Sequence, residues 1–214
     1  YDSGIKVPMI IRYPNKVRAG QIDERMISFV DFAPTLLSMV RIEPPDYYHG
    51  LPFEGLFKSI NDRKYIHAAA DRFDEYYDQI RAVRDEQYKY LRNYNPDKPY
   101  YLPLEYREKM FSMQELLLLE KERKLNENQM QWFRKSKPEE ELFDTFSDPH
   151  ELRNLAQEPN FKKKLIELRK ECDSWIQNTD DKGFMLETDL IETFWPNKKQ
   201  PKTADPIITI IDGM

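Results

Sequence analysis

The sequence predicts an α+β fold, in which a small antiparallel four-stranded sheet is packed by a C-terminal helix. Two short β-forming runs are joined by the tight polar link at 85–87, which is typical of an antiparallel hairpin. Later in the chain, apolar residues recur every three or four positions, as in a helix lying on a sheet. The first apolar run, by contrast, is followed by no strand–helix–strand alternation. That run and the next helix are therefore expected to belong to a larger α/β sheet whose N-terminal part is missing.

The chain opens with a polar turn at 1–4 and an apolar run at 7–11. Because almost no polar residue interrupts this run, it is predicted as a strand covered on both faces, which this chain alone should bury poorly. Residues 31–40 are predicted as a helix with Asp31 as N-cap and Pro34 in the first turn. Its core-facing residues are expected to be Phe32, Leu36, Met39 and Val40.

The strands of the small sheet are predicted from short runs of alternating character between polar links. They are 64–70, 80–84, 88–93 and 139–146. Two helical stretches, 104–124 and 126–134, are expected between the third strand and the fourth.

Two helix starts are predicted after the last strand. At 147–152 the residue types match a capping box, with Asp148 as N-cap, Pro149 at the first position and Glu151 reaching back. A longer helix at 160–177 should lie across the sheet on one apolar stripe. That stripe consists of Phe161, Leu165, Leu168, Cys172 and Trp175.

Composition excludes several classes of function. The chain of 214 residues is 40% hydrophobic and 33% charged, a globular mixture. Its net charge of −5 predicts no general attraction to nucleic acid, and no apolar run is long enough to span a bilayer. A single cysteine excludes an internal disulfide framework, and three scattered histidines do not predict a zinc site. Six scattered glycines form no phosphate-binding loop.

Four segments, taken in order, resemble the C-terminal part of a sulfatase of the alkaline-phosphatase-like superfamily. They are YDSGIKVPMIIRYP at 1–14, SFVDFAPTLL at 28–37, IRAVRDEQYKYLRNY at 80–94 and ELFDTFSDPHELRNLA at 141–156. The D-S-G turn and the helical insert at 104–134 are similar to the N-sulfoglucosamine sulfohydrolase (heparan sulfamidase) branch. The resemblance covers roughly residues 1–195.

The resemblance implies a hydrolase that removes sulfate, N- or O-linked, from a sulfated saccharide, here of heparan-type glucosamine. In that family a C/S-x-P-x-R motif supplies a formylglycine, which works beside a calcium ion. This chain contains neither that motif nor the calcium ligands, so no catalytic or metal-binding residue is expected in it, and alone it should be inactive. Periplasmic, extracellular and lysosomal locations all fit the family, and no oligomeric state is indicated.

Three parts are expected on this basis. Residues 1–60 would be the end of the catalytic α/β domain, 61–195 a C-terminal subdomain, and 196–214 a linker and the start of a further domain. Two other functions stay open. One is a phosphohydrolase of the same superfamily, with a Ser or Thr nucleophile and zinc ligands before residue 1. The other is a non-catalytic saccharide-binding homologue.

The charged and aromatic stretch at 71–78 is the candidate substrate site, predicted as a loop between two strands. Carboxylates and guanidinium groups bind sugar hydroxyls, aromatic rings pack on sugar faces, and arginine forks suit sulfate. The predicted substrate-binding residues are Asp71, Arg72, Asp74 and Glu75. The alternative is a solvated loop of ion pairs that contribute little.

Other reactive residues are interpreted as structural. Cys172 lies on the apolar stripe of its helix and does not match the nucleophile motif, so it should be a buried core residue. His67 is expected to be a hydrogen-bonded strand histidine. Asp2 should order its own turn.

Arg81 and Arg84 should lie on opposite faces of the hairpin, because side chains alternate along a strand. One of them could point into the substrate cleft. Pairing with Asp85 or Glu86 is the preferred interpretation.

Overall fold

A four-stranded antiparallel sheet forms the centre of the fold. The computed structural model describes residues 1–74 and 76–195, and the chain divides into two units, Tyr1–Ser174 and Trp175–Met214. The strands all lie in the first unit: β1 (Ile66–Phe73), β2 (Tyr76–Arg84), β3 (Tyr88–Asn93) and β4 (Glu140–Asp144). They pair antiparallel in the order β1-β2-β3-β4. The predicted α+β class and its small sheet are therefore confirmed.

Seven α-helices are described in the two units. They are α1 (Asp2–Ile5), α2 (Phe32–Met39), α3 (Glu105–Glu108), α4 (Phe111–Lys121), α5 (Glu127–Met130), α6 (Lys162–Asn178) and α7 (Glu187–Phe194). Single 3₁₀ turns occur at Pro14–Lys16, Phe29–Asp31, Gln131–Phe133, Pro159–Phe161 and Lys182–Phe184. The helix predicted at 104–124 is broken into α3 and α4, since Met110 has an extended backbone. None of the helices in the described ranges has the length and apolarity needed to cross a membrane.

The second unit is small. It contains the last turn of α6, a 3₁₀ turn and α7. The carboxylate of Asp181 accepts a hydrogen bond from the backbone N–H of Gly183 at 2.9 Å and thereby caps the 3₁₀ turn.

One face of the sheet, called here the helix-side face, is covered by α6. Val83, Tyr90 and Leu142 from three neighbouring strands are fully buried there. The apolar stripe of α6 supplies Leu165, Leu168 and Cys172, all buried as the sequence predicted. This burial of apolar area is what holds the helix across the strands.

Polar bonds border this helix–sheet contact. Arg169 donates two hydrogen bonds to the carboxylate of Glu140 in β4, from Nε and from Nη2, each at 2.6 Å. His67 of β1 shares a hydrogen bond of 3.1 Å with Glu171, so it is the satisfied strand histidine that was predicted. Burial lowers the pKa of His67, and Glu171 opposes that shift.

The Glu140–Arg169 pair predicts a dependence of stability on pH. Desolvation alone would raise the pKa of Glu140, but hydrogen bonds from Arg169 and Tyr90 outweigh it and lower the pKa below its ordinary 4.5. A carboxyl group whose pKa is lower in the folded state than in the unfolded state stabilises the folded protein at pH values above its unfolded-state pKa. This contribution to stability is lost as the pH falls through the folded-state pKa. We expect Glu140→Gln to be less stable than wild type at pH 7, and this difference should shrink as pH falls from about 4.5 through the lowered folded-state pKa. Urea denaturation at pH 7 and pH 4 measures this, and a difference that stays constant with pH would contradict it.

The opposite face, called the turn-side face, carries a smaller core of Ala82, Leu91 and Phe143. The ring of Tyr1 packs edge-on against Phe143 with centroids 5.7 Å apart. Helix α1 and the polar groups around it therefore lie against this face.

The strand predicted at 7–11 is not formed. These residues are irregular and exposed, with Ile10 95% accessible. A strand needs a neighbour for its backbone hydrogen bonds, and none of β1 to β4 pairs with this run. The expected poor burial of the run in this chain agrees with its exposure.

Helix α2 is present, but its predicted inner face is wrong. Phe32, Leu36, Met39 and Val40 are all exposed, whereas Pro34, Thr35 and Ser38 are buried. The buried hydroxyls accept hydrogen bonds from the following loop, from Phe53 N to Thr35 Oγ1 at 3.1 Å and from Phe57 N to Ser38 Oγ at 2.9 Å. Close approach by that loop decided which side of the helix is covered.

Asp31 does not act as a simple N-cap. Its carboxylate accepts hydrogen bonds from the backbone of Ser28 and Leu51, each at 2.8 Å, and pairs with Arg63. It therefore joins the start of α2 to two later segments.

The helix predicted to start at 147–152 is absent. Asp148 does accept hydrogen bonds from the backbone of Leu152 and Arg153, each at 2.8 Å. Glu151, however, has a φ of 54°, which a right-handed helix does not allow. Its side chain is bonded elsewhere, as described below.

Candidate functional site

The predicted substrate loop at 71–78 is the end of a β-hairpin. Residues up to Phe73 belong to β1, and residues from Tyr76 onward belong to β2. Only the turn between them is irregular, with Asp74 exposed at a φ of 49°. Glu75, the fourth predicted site residue, lies outside the described residues.

Two of the predicted residues lie on different faces of the sheet, beside a β-bulge. The register runs from Ala70↔Ile80 directly to Arg72↔Tyr77, so β2 has one extra residue there. Because side chains alternate along β1, Asp71 falls on the helix-side face and Arg72 on the turn-side face. The predicted residues are therefore not one cluster.

Asp71 has a structural partner. Its carboxylate oxygens accept hydrogen bonds from Arg81 Nη1 at 2.7 Å and Arg81 Nη2 at 3.2 Å. Arg81 is fully buried, and a buried guanidinium requires a partner of opposite charge. Asp71 therefore neutralises the interior arginine, and the predicted pairing of Arg81 with Asp85 or Glu86 is wrong.

Arg72 lies beside an exposed aromatic ring. Its guanidinium is 5.6 Å from the ring centroid of Tyr77, which is 39% exposed. Lys98 Nζ lies 5.1 Å from the same centroid and donates a hydrogen bond of 2.7 Å to the backbone oxygen of Tyr77. Two cations thus meet one accessible aromatic ring, a combination suited to an anionic sugar.

Lys98 was not predicted. It comes from the loop between β3 and α3, and no pattern in its sequence neighbours distinguishes it. A second lysine from the insert, Lys137, is fully buried and forms an ion pair of 2.5 Å with Asp78 at the bulge. Together the two lysines attach the insert to the hairpin end.

A second charged cluster, also missed from sequence, anchors α1 to the sheet. Asp2 pairs with Arg84 at 2.7 Å and with Lys89, and the two cations lie directly opposite one another on β2 and β3. Glu151 lies 2.7 Å from Lys89 Nζ and accepts a hydrogen bond of 2.5 Å from the backbone N–H of Asp2. Asp2 thus bonds to distant strands, and the predicted local role in its own turn is not observed.

Beside this cluster, three neutral donors surround the buried carboxylate of Glu141. They are Tyr1 Oη at 2.7 Å, Asn93 Nδ2 at 2.7 Å, and the hydroxyl of Tyr100. Burial raises the pKa of the Tyr1 and Tyr100 hydroxyls most, and the negative charge of Glu141 raises it further. Both hydroxyls therefore remain hydrogen-bond donors at neutral pH. The network extends the polar contact between α1 and the turn-side face.

No metal centre is found. Within 1–74 and 76–195, no three His, Cys, Asp or Glu side chains are grouped to hold a metal ion. The donors present thus do not fit a calcium site. Cys172 is buried in the core, as predicted for a structural residue.

A shallow depression lies away from the hairpin end and is lined by residues between Arg25 and Arg63. Asp31 and Arg63 in its lining pair with each other. The hairpin end is the better candidate site, because its cations flank an accessible ring.

Comparison with known proteins gives a consistent set of relatives. The family model for the C-terminal region of N-sulphoglucosamine sulphohydrolase matches residues 1–117. An ulvan-active sulfatase from Formosa agariphila is 55% identical over 214 residues, covering 100% of this chain and 36% of that relative. Human N-sulphoglucosamine sulphohydrolase is 24% identical over 202 residues, covering 85% of this chain and 38% of that relative. The chain thus spans little more than a third of these relatives.

Solved structures of sulfatases are also similar. A 2-O GAG sulfatase matches with a TM-score of 0.49 and 22% identity, covering 73% of this chain and 26% of that one. A further match is the structure of a protein in complex with its substrate, D-glucosamine-2-N,6-O-disulfate, with a TM-score of 0.47 and 16% identity. It covers 73% of this chain and 25% of the other.

Proposed function

The chain belongs to the sulfatases, in the family of the C-terminal region of N-sulphoglucosamine sulphohydrolase, and from this premise we propose that the intact protein hydrolyses sulfate from a sulfated saccharide. In this proposal the described residues form part of the wall of the substrate cleft and supply no nucleophile. Residues 1–60 would complete the catalytic α/β domain and 61–195 would form the C-terminal subdomain. Formylglycine and calcium would belong to parts of the intact protein outside this chain.

The observation that carries the proposed saccharide contact is the position of Arg72 and Lys98 around the exposed ring of Tyr77. Aromatic rings bind the apolar face of a sugar, and the guanidinium of Arg72 suits the oxygens of a sulfate group. Asp74, exposed at the turn, could accept hydrogen bonds from sugar hydroxyls. Glu75 remains part of the proposal, while Asp71 would support the site by holding Arg81.

Two saccharides are candidates for the substrate. The resemblance to the sulfamidase branch favours N-sulfated glucosamine of heparan type, and a relative with that name matches 85% of this chain. The relative at 55% identity is named as ulvan-active, which favours a sulfated algal polysaccharide. Sulfate release from heparin and ulvan oligosaccharides by the intact protein separates the two, and release from neither would favour a non-catalytic homologue. Families of this kind fit a periplasmic, extracellular or lysosomal location.

Arg72→Ala in the intact enzyme is expected to raise KM for the sulfated saccharide by about tenfold or more, the change that loss of one charge-assisted hydrogen bond produces. Folding stability should change little, because Arg72 lies at the open end of the hairpin. Steady-state kinetics with the preferred oligosaccharide, together with thermal unfolding, measures both quantities.

The matched control for this variant is Arg123→Ala, which removes an exposed arginine at the end of α4. It should leave KM unchanged. If Arg72→Ala and Arg123→Ala have the same KM, the hairpin end is not part of the substrate site.

A further inference from the structure

The insert between β3 and β4 carries a cluster of three aromatic rings. Tyr101, Trp132 and Phe133 are mutually packed, with centroid distances of 6.4 Å for Tyr101–Trp132, 5.3 Å for Tyr101–Phe133 and 6.5 Å for Trp132–Phe133. The insert has no strand and only short helices at this point. Ring packing is therefore the main local order in this part of the surface.

Hydrogen bonds hold the cluster in one arrangement. The backbone N–H of Tyr101 donates to the backbone oxygen of Trp132 at 3.1 Å. The Tyr101 hydroxyl donates to Glu108 Oε1 at 2.5 Å. Burial and Glu108 raise the pKa of Tyr101 to about 12, so this hydroxyl remains a donor at neutral pH. A cluster fixed in this way loses little conformational entropy when a ligand binds.

Trp132 is the accessible member, with 37% of its surface exposed. The guanidinium of Arg107 lies 5.7 Å from its ring centroid. Two more cations, Arg134 and Lys135, follow the cluster directly in sequence and are exposed. The accessible indole therefore has a guanidinium group beside it, although the whole chain carries a net charge of −5.

The loop that carries Tyr101 also reaches the proposed substrate site. Lys98, three residues before Tyr101, donates to the backbone of Tyr77. Because Tyr101 packs against Trp132, one short loop joins the hairpin end to the ring cluster.

We propose that Trp132 and Arg107 form a second saccharide subsite, which binds another sugar of the same anionic chain whose sulfate is cleaved. The indole would pack on the apolar face of a pyranose ring, and the guanidinium would bind a uronate carboxylate or a sulfate. The charge around the indole is what selects an anionic saccharide as the occupant over an apolar protein segment. The inference rests on the proposed function. It means that the protein binds oligosaccharides through more than one sugar, in addition to binding single sulfated sugars.

The test uses the full-length protein carrying this chain, with heparin and ulvan hexasaccharides and glucosamine 6-sulfate as probes. Calorimetry measures binding, which does not depend on turnover. Trp132→Ala should bind the preferred hexasaccharide about tenfold more weakly and bind the monosaccharide as wild type does. Trp132→Phe should retain most of the affinity, because a ring is still present.

Phe111→Ala is the matched control, since Phe111 is a more exposed aromatic residue of the same insert. It should bind every probe like wild type. Unchanged hexasaccharide affinity in Trp132→Ala would overturn the second subsite, and so would an equal loss for hexasaccharide and monosaccharide. Failure of the proposed function would appear separately, as absence of sulfate release by the wild-type protein.

Discussion

Replacing Lys89 with methionine is expected to lower the free energy of unfolding by about 3–5 kcal/mol. The ammonium group of Lys89 is fully buried between the carboxylates of Asp2 and Glu151. Methionine keeps most of the side-chain volume but removes the charge, which leaves these two acids poorly neutralised in an interior position. Urea denaturation, compared with wild type at pH 7, measures the effect.

Lys64→Met is the matched control for this variant. Lys64 precedes β1, its side chain is 71% exposed, and its nearest acid, Glu167, is 3.6 Å away. An exposed pair of this kind contributes little, so the control should unfold at nearly the same urea concentration as wild type. Equal effects of the two lysine variants would mean that the cluster around Asp2 does not hold α1 to the sheet.

Leu168→Ala is expected to cost about 2–5 kcal/mol of stability, because it opens a cavity between α6 and the sheet. Leu168 is fully buried in the centre of the apolar stripe of α6. The helix-side face has no other described layer against Val83 and Tyr90, so the site can close only by moving the helix. The same denaturation experiment measures the loss.

Ile166→Ala, on the same helix, serves as control. Ile166 is 48% exposed and lies off the apolar stripe. Its replacement should cost under about 1 kcal/mol. A loss as large as that of Leu168→Ala would show that burial in the apolar stripe is not what sets the cost, since alanine itself favours the helix.

Elements formed by contacts between neighbours in sequence were predicted well. The tight polar link at 85–87 places β2 and β3 in one hairpin, and β3 was predicted with its observed bounds. The three-and-four spacing in α6 identified Leu165, Leu168 and Cys172 as the buried stripe. In both cases the relevant partners lie within a few residues or on one repeating face.

Residues with distant partners were predicted poorly. The sequence predicted a pairing of Arg81 with Asp85 or Glu86, whereas Arg81 pairs with Asp71, which lies on the same face two residues along β1 from Ala69, the residue opposite Arg81. Asp2 was expected to order its own turn, yet it bonds to strands more than eighty residues away. Charged side chains are present throughout this chain, and composition alone does not choose among so many possible partners.

The candidate site was likewise predicted from sequence only where its residues are neighbours in the chain. Its location at 71–78 and the presence of Arg72 follow from the sequence. Because β1 extends to Phe73, Asp71 and Arg72 lie on opposite faces of the sheet, and the folded insert brought Lys98 onto Tyr77. Trp132 was within a predicted helix and had no predicted role.

The sequence alone determined the strands, the covering helix and the sulfatase resemblance, because alternation, helical spacing and local motifs are properties of neighbouring residues. Tertiary structure decided which charges are buried and which cations border an exposed ring. Burying a charge requires an opposite charge to come close in space, and that proximity exists only after distant segments of the chain have packed together.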